Sequence, residues 1–281
     1  MPGRRVDVRM AIVGYLDRTV VEWFEVNRRD LPWRRSDPWG VYVSEIMLQQ
    51  TPVSRVLPAW HAWLERWPTP IALADDSVGE AIRAWGRLGY PRRAKRMHEA
   101  AVIMRDRFSG RVPNTEAALR ELPGVGEYTA AAVAAFAYGR ETTVVDINVR
   151  RFLVRALTGQ DPAPNYSAAE RALIGSIELE VPPALWAAAS MEFGALVCTA
   201  QAPKCQDCPV ACNWLPSGQR TTRPQGYEGT DRQARGAVLE VLRAGPATTF
   251  TWHDEAQLQR ALDGLLADGL IVRGDAWSLP A

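Results

Sequence analysis

Hydrophobic positions along this chain recur every three to four residues, the spacing of amphipathic helices, over most of the first 196 residues. Proline and glycine mark several helix ends, because the helix at 41–50 stops before Pro52 and the helix at 127–138 stops at Gly139. Glu141–Val145 alternates as a short strand would. The pattern predicts an all-α fold with helices at 18–28, 41–50, 53–67, 78–88, 93–108, 115–122, 127–138, 148–157, 168–179 and 183–196.

A second, smaller region follows a change in composition near residue 215. Residues 215–231 are rich in Pro, Gly, Thr and Arg, which is typical of a linker. Beyond it, helices are predicted at Gln233–Ala244 and Asp254–Asp268, and a hairpin between Leu270–Arg273 and Ala276–Leu279. We expect a main domain at 1–214, a linker at 215–231 and a C-terminal module at 232–281. The module resembles part of a winged helix, and a structural cap is the other interpretation.

The composition indicates a packed globular protein, with 47% hydrophobic and 23% charged residues among 281. The longest apolar runs, such as Ala130–Ala137, are far shorter than a membrane span. Asp7 and Arg9 interrupt any signal-peptide core, so we expect a cytoplasmic protein with no membrane partner. The net charge of +1 means that DNA binding would depend on local groups of basic residues. Such groups are either DNA contacts or solvated helix faces, and one of them comprises Arg92, Arg93, Lys95 and Arg96.

All four cysteines lie close together, with the spacing Cys198-x6-Cys205-x2-Cys208-x3-Cys212. A disulfide scaffold would scatter its cysteines along a small secreted chain, so this clustering favours a metal site. Four thiolates suit a 4Fe-4S cluster, and they also suit a structural zinc ion. Zinc sites usually have two separated Cys-x-x-Cys pairs, whereas this chain has one such pair. Spacing therefore favours the cluster, and it leaves zinc and unligated cysteines as the alternatives.

A glycine-rich turn, Leu122-Pro-Gly-Val-Gly126, joins two predicted helices. Its glycines, Gly124 and Gly126, allow close backbone approach. The free N–H groups at the start of the next helix are suited to holding a phosphate without reading base sequence. The turn is thus either a DNA-backbone contact or an ordinary helix connection.

Two carboxylates stand in contrasting settings. Asp146 opens a predicted helix, where it is either a simple N-cap or a carboxylate that the helix terminus keeps ionised. Glu45 is an isolated acid in an apolar helix, where burial would raise its pKa, or else it lies at a helix start capped by Ser44. A neutral acid beside an ionised one is the pair expected for cleaving a glycosidic bond through a cationic sugar.

These segments, in this order, resemble the helix-hairpin-helix DNA glycosylases, and among them the MutY-type adenine DNA glycosylases. The resemblance runs from about Trp23 to Cys212. It is carried by Leu31-Pro-Trp-Arg34, Ser44-Glu-Ile-Met-Leu-Gln-Gln-Thr51, the glycine-rich turn, Asp146-Ile-Asn148 and Met191-Glu-Phe-Gly-Ala-Leu-Val-Cys198. It implies an all-α helix-hairpin-helix glycosylase fold, a 4Fe-4S cluster on the four cysteines, and a monomeric, nucleoid-associated bacterial enzyme acting on double-stranded DNA that contains a mispaired adenine.

The resemblance also implies residue roles. Glu45 would protonate a flipped adenine, Asp146 would stabilise the sugar cation, and Asn148 would orient Asp146 or the attacking water. Tyr128 stands where bifunctional relatives place a nucleophilic lysine, which implies a monofunctional enzyme. The implied adenine pocket is Leu31, Trp33, Arg34, Leu48 and Glu192. The implied DNA contacts are Gln50, Thr51, Leu88, Tyr90, Gly124 and Gly126.

Several positions depart from the family pattern. Gly89-Tyr90-Pro91 replaces the usual Gly-Tyr-Tyr, which leaves Leu88 and Tyr90 as alternatives for the intercalating wedge. Ile147 replaces a glycine, and the last cysteine gap is x3 where x5 is usual. The tail beyond Gln233 is shorter than a Nudix-like domain that reads 8-oxoguanine. Two other functions stay open: a thymine or uracil mismatch glycosylase, and a non-catalytic iron–sulfur protein that binds DNA.

Overall fold

The computed structural model describes residues 8–215 and 226–281, with side-chain detail in the first helix from Tyr15 onward. Helices dominate this part of the chain, which confirms the all-α prediction. The α-helices are α1 (Val8–Asn27), α2 (Pro38–Leu48), α3 (Val53–Arg66), α4 (Pro70–Ala74), α5 (Val78–Trp85), α6 (Arg92–Arg107), α7 (Glu116–Leu119), α8 (Glu127–Tyr138), α9 (Ile147–Thr158), α10 (Ala168–Gly175), α11 (Pro183–Leu196), α12 (Asp231–Ala244) and α13 (Glu255–Ala267). In the described ranges no helix combines the length and apolar character needed to cross a bilayer.

The secondary structure predicted from the sequence differs from the observed one mainly in the short elements. The predicted strand at Glu141–Val145 is wrong, because this segment is irregular backbone tied to α8 through the Thr142 hydroxyl, which donates to the Ala131 carbonyl at 2.9 Å. The pattern also did not predict the five-residue α4 or the 3₁₀ turns at Pro32–Arg35 and Cys205–Asp207. Each is too short to show a hydrophobic period.

The chain forms two compact units, and the first comprises residues 1–35 and 130–222. Its core joins α1, α9 and α11 around aromatic side chains. The Phe193 ring meets Trp23 edge-on at 5.1 Å and Phe152 at 4.8 Å, geometries that add to the gain from burying the rings. Helices α9 and α11, which carry the predicted site residues Asn148 and Glu192, are therefore fixed by this core.

The second unit comprises residues 36–129 and 223–281. Tryptophans form the centre of its helical part, where Trp63 packs edge-on against Trp67 at 4.6 Å and against Trp85 at 5.7 Å. The Trp39 indole N–H donates to the Trp67 carbonyl at 2.9 Å, so a buried polar group is satisfied as α2 joins this core.

The C-terminal residues of this second unit form the predicted helix–helix–hairpin. Strand β1 (Val272–Arg273) pairs antiparallel with β2 (Trp277–Ser278), and Trp277 also exchanges backbone hydrogen bonds of 2.9 and 2.8 Å with Ala247. Ala247 therefore adds an isolated bridge, and not a third strand, to the two-stranded hairpin. The linker prediction at 215–231 falls largely on residues 216–225, which lie outside the described residues, and the predicted domain boundaries stay a prediction.

Candidate active site

Glu45 lies within α2 and is only 6% exposed. The helix starts earlier than the sequence suggested, with Asp37 accepting from the Gly40 N–H at 2.8 Å and Pro38 at its first position. Ser44 is inside the helix, where its hydroxyl donates to the Val41 carbonyl at 2.8 Å. The alternative that Glu45 is a helix-start residue capped by Ser44 is therefore wrong. The acid lies in a helix whose residues from Trp39 to Met47 are all buried.

Arg93 terminates this same helix, a role that sequence reasoning missed. Its Nη1 donates to the carbonyls of Ile46, Met47 and Gln49 at 2.9, 3.0 and 2.5 Å. Its cation thus satisfies carbonyl groups at the negative end of the helix dipole. Burial lowers the pKa of Arg93 to about 10. The sequence placed Arg93 in a basic surface group, but its side chain is buried.

The two wedge candidates differ in exposure. Leu88 is buried, whereas Tyr90 is 54% exposed and adopts a left-handed backbone with φ of 49°. The turn between them is held by the Gly89 carbonyl, which accepts from the Trp85 indole at 2.8 Å and from Arg93 at 3.2 Å. Of the two side chains, Tyr90 is therefore the one presented to solvent.

The neighbouring candidates Gln50 and Thr51 also differ in exposure. Gln50 is exposed at φ of 55°, directly after α2. Thr51 is buried, and its hydroxyl accepts from Arg93 at 2.8 Å. A DNA contact by Gln50 matches its exposure, whereas the Thr51 hydroxyl is used inside the protein, where it lies 3.3 and 3.4 Å from the carbonyl oxygens of Gln49 and Leu88.

The glycine-rich turn exposes both of its glycines. Gly124 has φ of 84°, and a Cβ there would meet the Cβ and Cδ of Arg96 at 3.3 Å, so both conformation and space favour glycine. The Gln49 amide donates to the Gly124 carbonyl at 3.4 Å and to the Thr129 hydroxyl at 3.2 Å, which ties the end of α2 to the turn. A Cβ at Gly126 would meet nothing within 4 Å, and Tyr128 is half-buried in the first turn of α8.

Asp146 caps α9, and both oxygens of its carboxylate accept hydrogen bonds. Its Oδ1 accepts from the backbone N–H groups of Asn148 and Val149 at 2.8 and 2.7 Å, and its Oδ2 accepts from the Asn148 side chain at 2.7 Å. Burial raises the pKa of Asp146 despite these hydrogen bonds, which favour the charged form. The expectation that the helix terminus sets the ionisation is thus incomplete, because burial is the larger influence.

A chain of hydrogen bonds leads from Asp146 to the cysteine segment. The Asn148 side-chain oxygen accepts from Arg151 at 2.9 Å, and Arg151 donates in turn to the carbonyls of Gly194 at 2.6 Å and Cys198 at 2.8 Å. Helices α9 and α11 approach so closely that a Cβ on Gly194 would lie 2.6 Å from the Asn148 carbonyl oxygen. The orientation of Asn148 therefore depends on this helix contact.

Glu192 on α11 is buried and holds the segment before α2. Its carboxylate accepts from Arg29 through the backbone N–H at 2.9 Å and through Nε and Nη2 at 2.8 Å, and from Arg34 at 3.0 Å. Burial alone would raise the pKa of Glu192, but the hydrogen bonds and charges of the two arginines hold it below its usual range. The structure therefore brings together the predicted pocket residues Glu192 and Arg34.

The other predicted pocket residues are largely buried. Leu31 and Trp33 are buried at the 3₁₀ turn Pro32–Arg35 in the first unit, and Leu48 is half-buried at the end of α2 in the second. Arg29 was not among the predicted pocket residues. The Arg29 side chain donates two hydrogen bonds to the Glu192 carboxylate. The sequence alone could not show this pair, because the two residues are 163 positions apart.

All four cysteines line one cavity in the first unit. Arg155 lies against it, donating to the Cys198 sulfur at 3.7 Å and to the Thr199 carbonyl at 2.8 Å, and stacking on Trp214 at 3.9 Å. Burial raises the pKa of the Cys198 thiol, while the Arg155 cation opposes this shift. A soft donor set beside a buried cation is suited to holding an anionic thiolate-bound metal group.

Comparison with known proteins identifies the family. The profile of the HhH-GPD superfamily base excision DNA repair proteins matches residues 43–177. The Adenine DNA glycosylase of Mycolicibacterium smegmatis is 48% identical over 266 residues, covering 90% of this chain and 91% of that protein. The human Adenine DNA glycosylase is 41% identical over 68% of this chain and 37% of its own length.

Solved structures agree on the fold. A thermostable thymine-DNA glycosylase superposes with a TM-score of 0.65 and 25% identity, covering 73% of this chain and 95% of that one. A trapped endonuclease III–DNA covalent intermediate superposes with a TM-score of 0.62 at 22% identity, over 72% of this chain and 93% of that one. The predicted fold and family are thereby confirmed: the chain belongs to the adenine DNA glycosylases of the HhH-GPD superfamily.

Proposed function

We propose that this protein hydrolyses the N-glycosidic bond of adenine mispaired with 8-oxoguanine or guanine in duplex DNA, acting as a monomer without lyase activity. The observation that carries the proposal is the pair of carboxylates in family-matching positions. Glu45 is buried in α2, and Asp146 is fixed by three hydrogen bonds at the start of α9. The name shared by its relatives, Adenine DNA glycosylase, gives the base.

The reaction needs one acid and one anion. Glu45 donates a proton to a ring nitrogen of the flipped adenine, so that the base leaves as a neutral molecule when the bond to C1′ breaks. Asp146 faces the resulting sugar cation, and Asn148 holds its carboxylate. Water then adds to C1′ and its proton passes to the Glu45 carboxylate, which leaves an abasic sugar. Residues 127–129, Glu-Tyr-Thr, offer no lysine for a Schiff base.

We infer that the four cysteines hold a 4Fe-4S cluster. Four thiols line one cavity, and Arg155 supplies a compensating cation. The chain has one Cys-x-x-Cys pair, Cys205 and Cys208, whereas a structural zinc site usually has two separated pairs. The cluster would shape the loop that carries the exposed Lys204.

Duplex DNA is the proposed partner. The exposed candidates Gln50, Tyr90, Gly124 and Gly126 all belong to the second unit and combine polar, aromatic and backbone groups. Backbone N–H groups after the glycines suit a phosphate, whereas an aromatic side chain suits a base step. These contacts position the duplex, and base identity is read by the residues around the flipped nucleotide.

The test is excision followed by alkaline strand cleavage. Purified protein is incubated with duplexes that pair adenine with 8-oxoguanine, guanine or thymine, and with matching duplexes that carry a guanine–thymine or guanine–uracil mismatch. We expect cleavage at mispaired adenine, and loss of cleavage in Glu45→Gln, which keeps the shape but cannot supply the proton. Excision of thymine or uracil instead would favour the mismatch glycosylase that the structural likeness also suggests. Binding without excision of any base would favour the non-catalytic alternative.

A further inference from the structure

The C-terminal helix–helix–hairpin has a charge that does not suit DNA. Acidic side chains outnumber basic ones in residues 226–281. The outward face of α13, the helix that would read DNA in a winged helix, carries Glu255 and Asp263, and its Arg260 is paired with Asp231. Phosphate contacts need basic side chains, so this region serves another purpose.

Two carboxylates of this region reach the turn that joins α5 to α6. Glu240 accepts from Arg87 at 2.9 Å and from Arg243 of its own helix at 3.2 Å. Asp268 accepts from Arg92 at 2.9 Å and also pairs with Arg235 of α12. Each acid is therefore shared between one arginine of the C-terminal region and one arginine beside the Leu88–Pro91 turn.

These arginines flank the residues that present Tyr90. Arg87 and Arg92 stand on either side of Leu88–Pro91, and their side chains are 80% and 59% exposed. Backbone packing reinforces the pairs, because a Cβ at Gly79 would lie 2.2 Å from the Pro280 carbonyl oxygen. A Cβ at Gly269 would lie 3.0 Å from Lys95 Cε, again joining the C-terminal region to α6.

The inner side of the same turn is held separately. Trp85 and Arg93 both donate to the Gly89 carbonyl, and Arg55 donates to the carbonyl of Arg87. Tyr90 has a left-handed backbone, a conformation that costs a tyrosine energy and so requires support from its surroundings. The acidic pairs supply that support on the outer side.

We propose that Glu240 and Asp268 are positioning residues: the C-terminal region clamps the Leu88–Pro91 turn so that Tyr90 enters the duplex and helps to separate the adenine from its partner. This inference rests on the proposed function. The order of this turn then controls the flipping step, and the clamp leaves proton transfer at Glu45 untouched.

The test compares two substrates in single-turnover excision. One duplex pairs adenine with 8-oxoguanine, and the other places adenine opposite an abasic site, where no base pair must be broken. We expect Glu240→Gln combined with Asp268→Asn to slow the paired substrate about 5- to 20-fold and to change the unpaired one less than twofold, a selectivity that follows from affecting flipping alone. Asp231→Asn, which breaks the Asp231–Arg260 pair away from the turn, is the matched control and should leave both rates unchanged.

A second readout needs no DNA. Amide hydrogen exchange at residues 86–92 should be faster in the double variant and unchanged in Asp231→Asn, because the clamp is internal to the protein. Unchanged exchange together with unchanged rates, or equal slowing of both substrates, would overturn the clamp. If the wild type excised adenine from neither duplex, the proposed function would fail, and the exchange measurement would still decide whether the clamp exists.

Discussion

Replacing Gly194 with alanine tests whether the α9–α11 contact sets the geometry of the reacting carboxylate. The added Cβ would lie 2.6 Å from the Asn148 carbonyl oxygen, whereas ordinary contact begins at 3.4 Å. The two helices must therefore separate by about 0.8 Å at this point, the difference between these distances. Asn148 would carry the Asp146 carboxylate with it through the 2.7 Å hydrogen bond between their side chains.

The size of the effect follows from the displacement. Overpacking of this kind costs about 1–3 kcal/mol of unfolding free energy, and each kcal/mol lowers the melting temperature by about 2–4 °C in a chain of this size. A displacement approaching 1 Å at a reacting group costs up to about 100-fold in rate. We therefore expect Gly194→Ala to reduce single-turnover excision about 10- to 100-fold.

The assay is excision measured at a temperature well below the melting midpoint of the variant, so that folded protein is compared with folded protein. Gly175→Ala is the matched control, because this glycine likewise lies in the last turn of a helix and a Cβ there would meet nothing within 4 Å. It should keep the wild-type rate and stability. Wild-type excision by Gly194→Ala would refute the reasoning, and so would equal losses in both variants.

Three further predictions concern other parts of the site. Excision should lose rate as the pH falls through the pKa of Asp146, which burial raises above its usual range, because only the ionised carboxylate stabilises the cation. Asn148→Ala removes a hydrogen bond to the charged form, so it should move this acid limb of the pH profile to higher pH, and an unmoved limb would contradict the role. Arg93→Met leaves the carbonyls at the end of α2 without their donor, so we expect about 2–5 kcal/mol less unfolding free energy in chemical denaturation. As the control, Arg96→Met changes an exposed arginine of the same helix and should alter the unfolding free energy by less than about 0.5 kcal/mol. Iron chelation or Cys198→Ser should remove the visible absorbance at about 400 nm and should also abolish DNA binding. A colourless, zinc-containing protein that binds DNA normally would overturn the cluster assignment.

Patterned features of this fold could be predicted because they are local. The helix at 127–138 and the helix at 183–196 match the sequence expectation residue for residue, since apolar spacing and end residues fix them. The hairpin near the C-terminus was found from its turn residues alone. Helix α4 was missed because it has five residues, although Thr69 and Pro70 mark its start.

In the candidate site, too, the sequence predicted which residues take part but not the properties that depend on folding. Motif order indicated Glu45 and Asp146, and the sequence alone could not show that Asp146 owes its raised pKa to burial. Alternation suggested a strand at Glu141–Val145, but a strand needs a partner that local sequence does not specify. Burial and pairing depend on which segments meet after folding.

Arg93 has a role in the site that the sequence could not reveal, because that role depends on burial. At the sequence level it is one of several basic residues at the start of a helix, and such residues are usually solvated. In the structure one guanidinium both terminates the helix of Glu45 and holds Gly89 in the turn that presents Tyr90. An adenine glycosylase must separate a base pair and then protonate the freed base, so a single buried cation that orders both elements couples the precision of the two steps. Substituting Arg93 should therefore impair excision from paired and unpaired substrates alike, in contrast to the variants of Glu240 and Asp268, which act on the turn alone.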